Sequence, residues 1–475
     1  MNIVWFRSDL RTTDNPALAS SLHSQELTRA IFIITEKQWL QHDWGNNKIA
    51  FVLLHVLALQ KQLLALNIQL DILYCDYFKQ IPELMLKYLS KYQAKALYFN
   101  CEYELNEHER DQNLSRFLAK QNIEIRSFHS QTLITPGIIL TKQKTPYTVF
   151  TPFKRACYQY LYDNPIKLTS KLKPQANKLA NIKLDALDAS VQHYLRDPIL
   201  KSWPVGEVAA AKILYKFTQD NLKQYKQQRD FPAIAGTSNL SAYLAVGAIS
   251  VQQCFIAAIN ENQNDFASGD SGAVCWVSEL LWRDFYKQIM FHYPELAKGH
   301  NFNRKYDTLR WLEPGDSLLR WQAGQTGVPI IDAAMRQLVT TGWMHNRLRM
   351  LVAMFLTKNL LIDWRHGEKF FSQHLIDLDF SSNNGGWQWS ASTGTDAVPY
   401  FRVFNPVTQS AKFDQEGIFI KKYCPELISL NNKQIHDPTA YLTSNQLADL
   451  NYPARMVDLS TSRTRALEHF KACYR

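Results

Sequence analysis

The chain has 475 residues, 46% of them hydrophobic, and its 53 Lys and Arg against 43 Asp and Glu leave a net charge of +10. That length can bury more than one core, so two or three domains are expected, and the basic balance favours a polyanionic partner, nucleic acid ahead of a membrane surface, over a merely basic protein. Seven scattered cysteines with no Cys-x-x-Cys exclude a disulfide frame and a zinc site and predict a reducing, cytoplasmic setting with no metal.

Residues 2–6 form a short apolar run that suits a buried strand, and Asp14-Asn15-Pro16 is a helix start, with an N-cap side chain followed by proline in the first turn. Further strands are predicted at 30–34, 70–74, 97–99 and 123–128. Helical spacing occupies 49–64, 78–92 and 104–121 between them. Strands that alternate with helices predict a parallel sheet with right-handed crossovers. Such sheets often bind nucleotides, but the only glycines within residues 1–150 are Gly45 and Gly137, so no glycine-rich phosphate loop can be built.

Residues 164–205 carry Pro165, Pro174, Pro198 and Pro204 among Lys and Asn, and read as a long surface connection, partly helical near 184–195. Beyond it no period-2 strand is convincing. Apolar spacing is helical over 206–226, 250–260, 271–293, 328–341 and 344–361. The expected organisation is therefore an α/β parallel-sheet domain over 1–130, a connection over 131–205 and an all-α domain over 206–475 that ends in a polar tail, with no long extension after it. Arg7 and Asp9 follow the first apolar run at once, so no leader is expected. The longest apolar helix candidate, 350–362, is cut by Thr357, Lys358 and Asn359, so no membrane span is expected.

Four stretches could carry chemistry. Asn383-Asn384-Gly385-Gly386 reads as a turn, followed by Trp387 and Trp389; it is either a close backbone approach to a flat ligand or a buried turn with two core indoles. Gly236-Thr237-Ser238 ahead of an apolar run has the form of an N-cap that could hold a phosphate, or of an ordinary capped helix. Glu279, Trp282, Arg283 and Tyr286 share a helical face, which is either site-lining or ion-paired within a core. Asn346 and Met350 share another face with Arg349 beside it, whereas Arg347 points elsewhere and His345 reads as structural.

Taken together, these segments and the opening Val4-Trp5-Phe6-Arg7-x-Asp9-Leu10-Arg11 resemble the photolyase/cryptochrome family over nearly the whole chain, most closely its class I bacterial cyclobutane pyrimidine dimer photolyases. The resemblance implies FAD in the helical domain. Thr237, Ser238, Leu240 and Ser241 match positions on the phosphates; Tyr225, Trp276, Arg283, Asn346, Arg349, Asp377, Asp379 and Asn383 match positions around the rest of the cofactor. Arg349 and Asp377 would pair against the isoalloxazine, and the Asn383 amide would rotate to accept from or donate to N5. Asn239 replaces the basic residue common there. Trp387, Trp364 and Trp311 match an electron-transfer chain of indoles. Asn106, Glu107 and Lys298, with His42, match positions for an antenna folate, methenyltetrahydrofolate, which a deazaflavin or an empty cleft replaces in relatives.

The implied activity is light-driven repair of cyclobutane pyrimidine dimers by electron transfer from photoexcited reduced FAD to a dimer flipped out of DNA. Glu279, Asn346, Met350 and Asn383 would be its catalytic residues, and Arg229, Trp282, Arg347 and Trp389 would contact DNA. The alternatives are a cryptochrome-type signalling flavoprotein, disfavoured by Asn383, and a (6-4) photolyase, disfavoured because Asn346 and Met350 replace the histidines that chemistry calls for. A flavin protein without photochemistry is disfavoured by the indole trio.

Overall fold

The computed structural model describes residues 1–176 and 183–473; residues 177–182, inside the expected connection, and 474–475 lie outside the described residues. Two compact units make up the chain. The first comprises Met1–Lys223, Ser238–Pro294 and Ile376–Ser381, and the second Gln224–Thr237, Glu295–Leu375 and Ser382–Arg475.

In the first unit, β1 (Asn2–Phe6), β2 (Thr28–Ile34), β3 (Leu70–Tyr74), β4 (Ala96–Asn100) and β5 (Glu124–Phe128) form one sheet in the order β3-β2-β1-β4-β5. All pairings are parallel; Val4 at the centre faces Ala30 on one side and Tyr98 on the other. These are the five predicted strands. The near-continuous apolar runs of β1, β2 and β4 are what a strand covered on both faces requires, whereas the edge strands β3 and β5 are partly exposed. On one face Ile3, Trp5, Ile31, Ile33, Leu97 and Phe99 pack against Met85, Leu89, Leu114 and Leu118 from helices Ile81–Lys91 and Leu105–Ala119. Pro16–His23 packs against β1, β4 and β5. It starts as predicted, with Asn15 accepting from the Leu18 N–H at 3.1 Å and Pro16 at its first position.

Among the described residues, the helix long and apolar enough to cross a membrane is Asn46–Ala65, not 350–362, and 61% of its apolar window is buried inside the protein. Ile49, Leu53, Val56, Leu59 and Leu63 are its inward-facing core residues.

The described residues of the connection after residue 164 are largely exposed, with short helical turns over Ala189–Gln192, His193–Arg196 and Pro198–Ser202. It follows the outer edge of the sheet. Gln175 accepts from the Thr28 N–H at 2.9 Å, and Asp185 accepts from the Ile72 N–H of edge strand β3 at 3.1 Å. An open strand edge is thereby covered.

Among its described residues the second unit holds helices joined by loops and no strand. Its main helices are Pro329–Thr341, Asn346–Met354, Trp364–His374, Phe380–Ala391 (whose first two residues belong to the first unit) and Leu459–Ala472. The predicted 344–361 helix is α only to Met354 and widens to a π-turn at Phe355–Asn359. That turn buries Lys358, which donates to Ser392 Oγ at 2.8 Å and to the Ala391 carbonyl at 3.2 Å. The amine there donates to a carbonyl left over at the end of Phe380–Ala391, and burial holds its pKa well below the ordinary lysine value. The expected polar tail is instead folded: Leu459–Ala472 buries Ala466 and Phe470 against Tyr306, Leu309 and Leu361. Its apolar residues are spaced for one helical face, and composition alone hid them.

Candidate functional site

In the first unit, the carboxyl ends of β2 and β4 lead to His42 and to Asn106 and Glu107. The Asn106 and Gln38 amides donate to His42 Nε2 at 2.8 and 3.0 Å, so Nδ1 carries the ring hydrogen and faces Glu107 Oε1 at 3.5 Å. Burial, then Arg110, lowers the His42 pKa. Burial and the neighbouring Glu104 and Glu102 push the Glu107 carboxyl up to about 8. A neutral imidazole beside a protonated carboxyl is a polar but uncharged cradle. Lys298, in the second unit, is exposed at the end of a 3-10 turn.

Helix Ser271–His292 shows an interrupted burial pattern. Trp276, Val277, Leu280, Leu281, Asp284 and Phe285 are buried, whereas Glu279, Trp282, Arg283 and Tyr286 form a half-buried stripe. The stripe is the face expected from the sequence, and it is half-buried, not core. Trp276 packs on Phe217 with ring centroids 4.9 Å apart. One face of Trp282 is already covered by Phe150, stacked at 3.7 Å. Arg283 donates to the Gln131 carbonyl and stands 3.8 Å from Asp379 Oδ2.

Sequence reasoning missed the cation that holds Asp379. Lys287, buried, contacts Asp379 at 2.9 Å and Glu104 at 2.8 Å. Burial pulls its pKa down, but Asp379 and Glu104 outweigh that and raise it. Its position four residues after Arg283 was the available signal. Lys48 was also missed: it is buried, and desolvation lowers its pKa to about 8 against the pull of Asp379 and Asp377. Asp377 itself is buried.

The Gly236-Thr237-Ser238 stretch does not cap the next helix. That helix is Ser241–Val246, and its N-cap is Leu240, which is buried and makes no side-chain cap bond. Asn239 lies between them at φ 54°. The left-handed backbone there delays the helix and suits asparagine better than a long basic residue. Ser238 Oγ accepts from the Leu240 N–H at 3.4 Å, and the Ser241 side chain is exposed.

In the second unit, His345 is structural, as expected. It is the N-cap of Asn346–Met354, its Nδ1 accepting from the Arg347 N–H at 3.2 Å, and burial lowers its pKa to about 4. Asn346 and Met350 sit one turn apart on that helix. Arg349 Nε donates to the Met344 carbonyl at 2.8 Å. Arg347 is not a free rim charge: it pairs with Asp230 at 2.7 Å and lies over the Phe413 ring at 4.6 Å. Tyr225 is buried under Arg229, 5.4 Å from its ring. Thr237 is half-buried.

Asn-Asn-Gly-Gly is not a turn. Residues 380–391 are one unbroken α-helix, and Gly386 points into open space. Two helical glycines cost roughly 2 kcal/mol relative to alanine, and the packing of the residues around them overrides that preference. Asn383, buried, donates from Nδ2 to the Glu368 carbonyl at 3.0 Å and to Ser372 Oγ at 3.1 Å. Its amide is therefore held and does not rotate freely, contrary to expectation.

Trp387 and Trp364 are buried and Trp311 is half-buried. The Trp387 ring lies against Gly367, one turn after Trp364, where a Cβ would collide with it. Its Nε1 finds no hydrogen-bond partner among the described residues. Trp364 Nε1 donates to Asn301 at 2.9 Å. Trp311 meets Phe470 edge-on at 6.1 Å. A fourth indole, the fully buried Trp321, meets Trp387 edge-on at 6.1 Å and was not singled out from the sequence. Trp389 is half-buried.

Residues 2–174 match the family described as DNA photolyase, and residues 276–472 match the FAD binding domain of DNA photolyase. The chain is 40% identical to a deoxyribodipyrimidine photo-lyase of Vibrio cholerae over 99% of both chains. It is 39% identical to that of Escherichia coli over 99% of this chain and 98% of the relative. The crystal structure of a class III photolyase from Agrobacterium tumefaciens superposes with TM-score 0.87 at 33% identity, over 100% of this chain and 97% of the other. The donor set here fits FAD. Thr237, Ser238 and Ser241 bring hydroxyls suited to phosphate oxygens, Asp377 and Asp379 bring carboxylates suited to hydroxyls, and the held Asn383 amide leaves its carbonyl for a ring N–H. By full-length similarity and by fold, the chain belongs to the DNA photolyase family.

Proposed function

We propose that this protein repairs cyclobutane pyrimidine dimers in DNA in a light-driven, FAD-dependent reaction. The observation that best supports the reading is the half-buried stripe Glu279, Trp282, Arg283 and Tyr286 on an otherwise buried helix. It sets one carboxylate and one guanidinium among aromatic surfaces, a chemistry that suits a flat, apolar base carrying a polar edge.

FAD, when bound and reduced, supplies the electron that the excited state delivers and later recovers. The residues proposed to hold it are Tyr225, Thr237, Ser238, Leu240, Ser241, Trp276, Arg283, Asn346, Arg349, Asp377, Asp379 and Asn383. Trp282 and Trp389 pack against the lesion and exclude water, and Glu279 and Asn346 hydrogen-bond its pyrimidine edges. Met350 supplies a polarizable apolar contact. Arg229 and Arg347 meet DNA phosphates, Arg347 by exchanging Asp230 for a phosphate. Trp311, Trp364 and Trp387 relay electrons inward from solvent. His42, Asn106, Glu107 and Lys298 bind an antenna, for which methenyltetrahydrofolate suits the uncharged cradle at His42 and Glu107. The functional division we propose is an antenna domain over 1–130, a connection over 131–205 and a catalytic domain over 206–475, acting as a cytoplasmic monomer without a membrane.

Splitting a cyclobutane ring is redox-neutral and moves no proton between the bases, so Asn346 and Met350 suffice; a (6-4) photoproduct needs proton transfer, which neither side chain provides. Reduced enzyme under blue light, given oligonucleotides carrying each lesion separately, should restore only the cyclobutane dimer. Repair of the (6-4) oligonucleotide, or failure on the other, would falsify the assignment.

A further inference from the structure

We infer that Ser372 is a positioning residue that locks the Asn383 carboxamide, so that this side chain offers only an acceptor to what binds against it. The inference rests on the reading of Asn383 as a cofactor-facing residue.

The lock joins two neighbouring helices, Trp364–His374 and Phe380–Ala391. Ser372 Oγ donates to the Glu368 carbonyl one turn earlier, at 3.0 Å. With its one hydrogen committed there, the hydroxyl can only accept from Asn383, and it does so at 3.1 Å. The Glu368 carbonyl accepts the other Nδ2 hydrogen at 3.0 Å. Both amide hydrogens are thereby used on acceptors. Turning the amide over would set Oδ1 against the Glu368 carbonyl and the occupied lone-pair side of Ser372, two repulsive contacts in a buried place. Asn383 is 8% exposed and Ser372 is 4% exposed, so water cannot relieve them. Glu368 is itself braced, because Asn384 Nδ2 donates to its Oε1 at 2.8 Å and Gln388 Nε2 donates in turn to Asn384 Oδ1 at 3.0 Å.

A fixed carbonyl discriminates between states of a bound flavin. The reduced ring carries a hydrogen on N5 and can donate it. The oxidised ring has a lone pair there, which would face the oxygen. Ser372 therefore biases the protein toward reduced FAD by holding a side chain that it does not replace. A serine is required: alanine leaves one buried amide hydrogen without an acceptor, and the amide can then turn and donate outward.

The test is the midpoint potential of bound FAD, by spectroelectrochemical titration, in the full-length holoprotein and its Ser372→Ala and Ser372→Thr variants. We expect Ser372→Ala to shift the oxidised-to-reduced ratio three- to tenfold toward oxidised, about 15 to 30 mV downward for a two-electron couple, and Ser372→Thr, which keeps the hydroxyl, to restore it. In an Asn383→Ala background the serine substitution should no longer move the potential. Ser372→Cys, nearly isosteric with only a weak acceptor, gives the same downward shift and serves if the alanine variant does not retain flavin. An unchanged or raised potential in Ser372→Ala or Ser372→Cys, or the same shift in Ser372→Thr, overturns the inference. Absence of flavin from the unmodified protein would instead overturn the FAD reading beneath it.

Discussion

Gly367 is the residue whose smallness matters most to the proposed electron path. A Cβ there would meet the six-membered ring of Trp387, which is backed on its other sides by Phe371 at 4.9 Å and Trp321 at 6.1 Å. The indole has nowhere to retreat. Gly367→Ala should destabilise by about 1–3 kcal/mol, the usual cost of overpacking a well-filled core. Replacing Trp387 by Phe shortens the ring that collides, so most of that cost should vanish in the double variant. Urea melts of the four proteins measure the coupling; an equal cost of Gly367→Ala in both backgrounds would show that the collision is not what the glycine avoids. Glycine at 367 was not singled out from the sequence, because its reason lies in a residue twenty positions away.

Among the elements, helix Ser271–His292 does two jobs, and Asp284 shows the tension between them. Its Oδ2 accepts from the Leu133 and Ile134 N–H groups at 2.7 and 3.2 Å, which anchors the loop after β5, while Oδ1 has no hydrogen-bond partner among the described residues. Burial pushes the carboxyl up to about 7; Arg283, the two N–H bonds and Lys287 only partly oppose this. The unfolded chain releases this proton near the ordinary aspartate value of about 3.9. Between those two values the folded protein holds more protons than the unfolded one. Stability therefore falls as pH rises from about 4 to about 7 and levels off above. Asp284→Asn removes the titration and keeps an oxygen for the two N–H groups. From pH 5 to pH 8 the variant should gain on the unmodified protein by on the order of 1–2 kcal/mol. Denaturant unfolding across that range decides it, and parallel pH profiles for the two proteins would exclude Asp284 as the source.

For the molecule as a whole, the +10 charge predicts DNA binding that weakens with salt. Not every cation is free to meet DNA, because Arg347 is paired with Asp230, and Lys287 and Lys358 are buried. The slope of affinity against salt should therefore be steep but smaller than a count of all Lys and Arg residues suggests, with at least a tenfold loss of affinity between 50 and 200 mM salt, roughly what a few phosphate contacts give. Dimer-containing DNA should bind more tightly than intact DNA throughout. A flat salt response, or equal affinity for both DNAs, contradicts electrostatic and lesion-selective binding.

How much of this was legible depends on the range of the interactions involved. The five strands and the helix start at Asn15-Pro16 could be read from the chain, because period and capping are local properties that neighbours in sequence decide. The stripe at 279–286 was legible for the same reason. The Asn-Asn-Gly-Gly segment was not: its local preference is for a turn, and only the contacts of Asn383, Asn384 and Trp387 with the helix carrying Ser372, Glu368 and Gly367 make it helical. Nor could composition reveal that Lys287 bridges Asp379 and Glu104, partners 92 and 183 positions away. The sequence by itself determined the fold class and the family, since both are written in short-range patterns. Tertiary structure alone decided which amide is held, which cation is spent and which indole is packed, because those depend on atoms that only folding brings within a few ångströms.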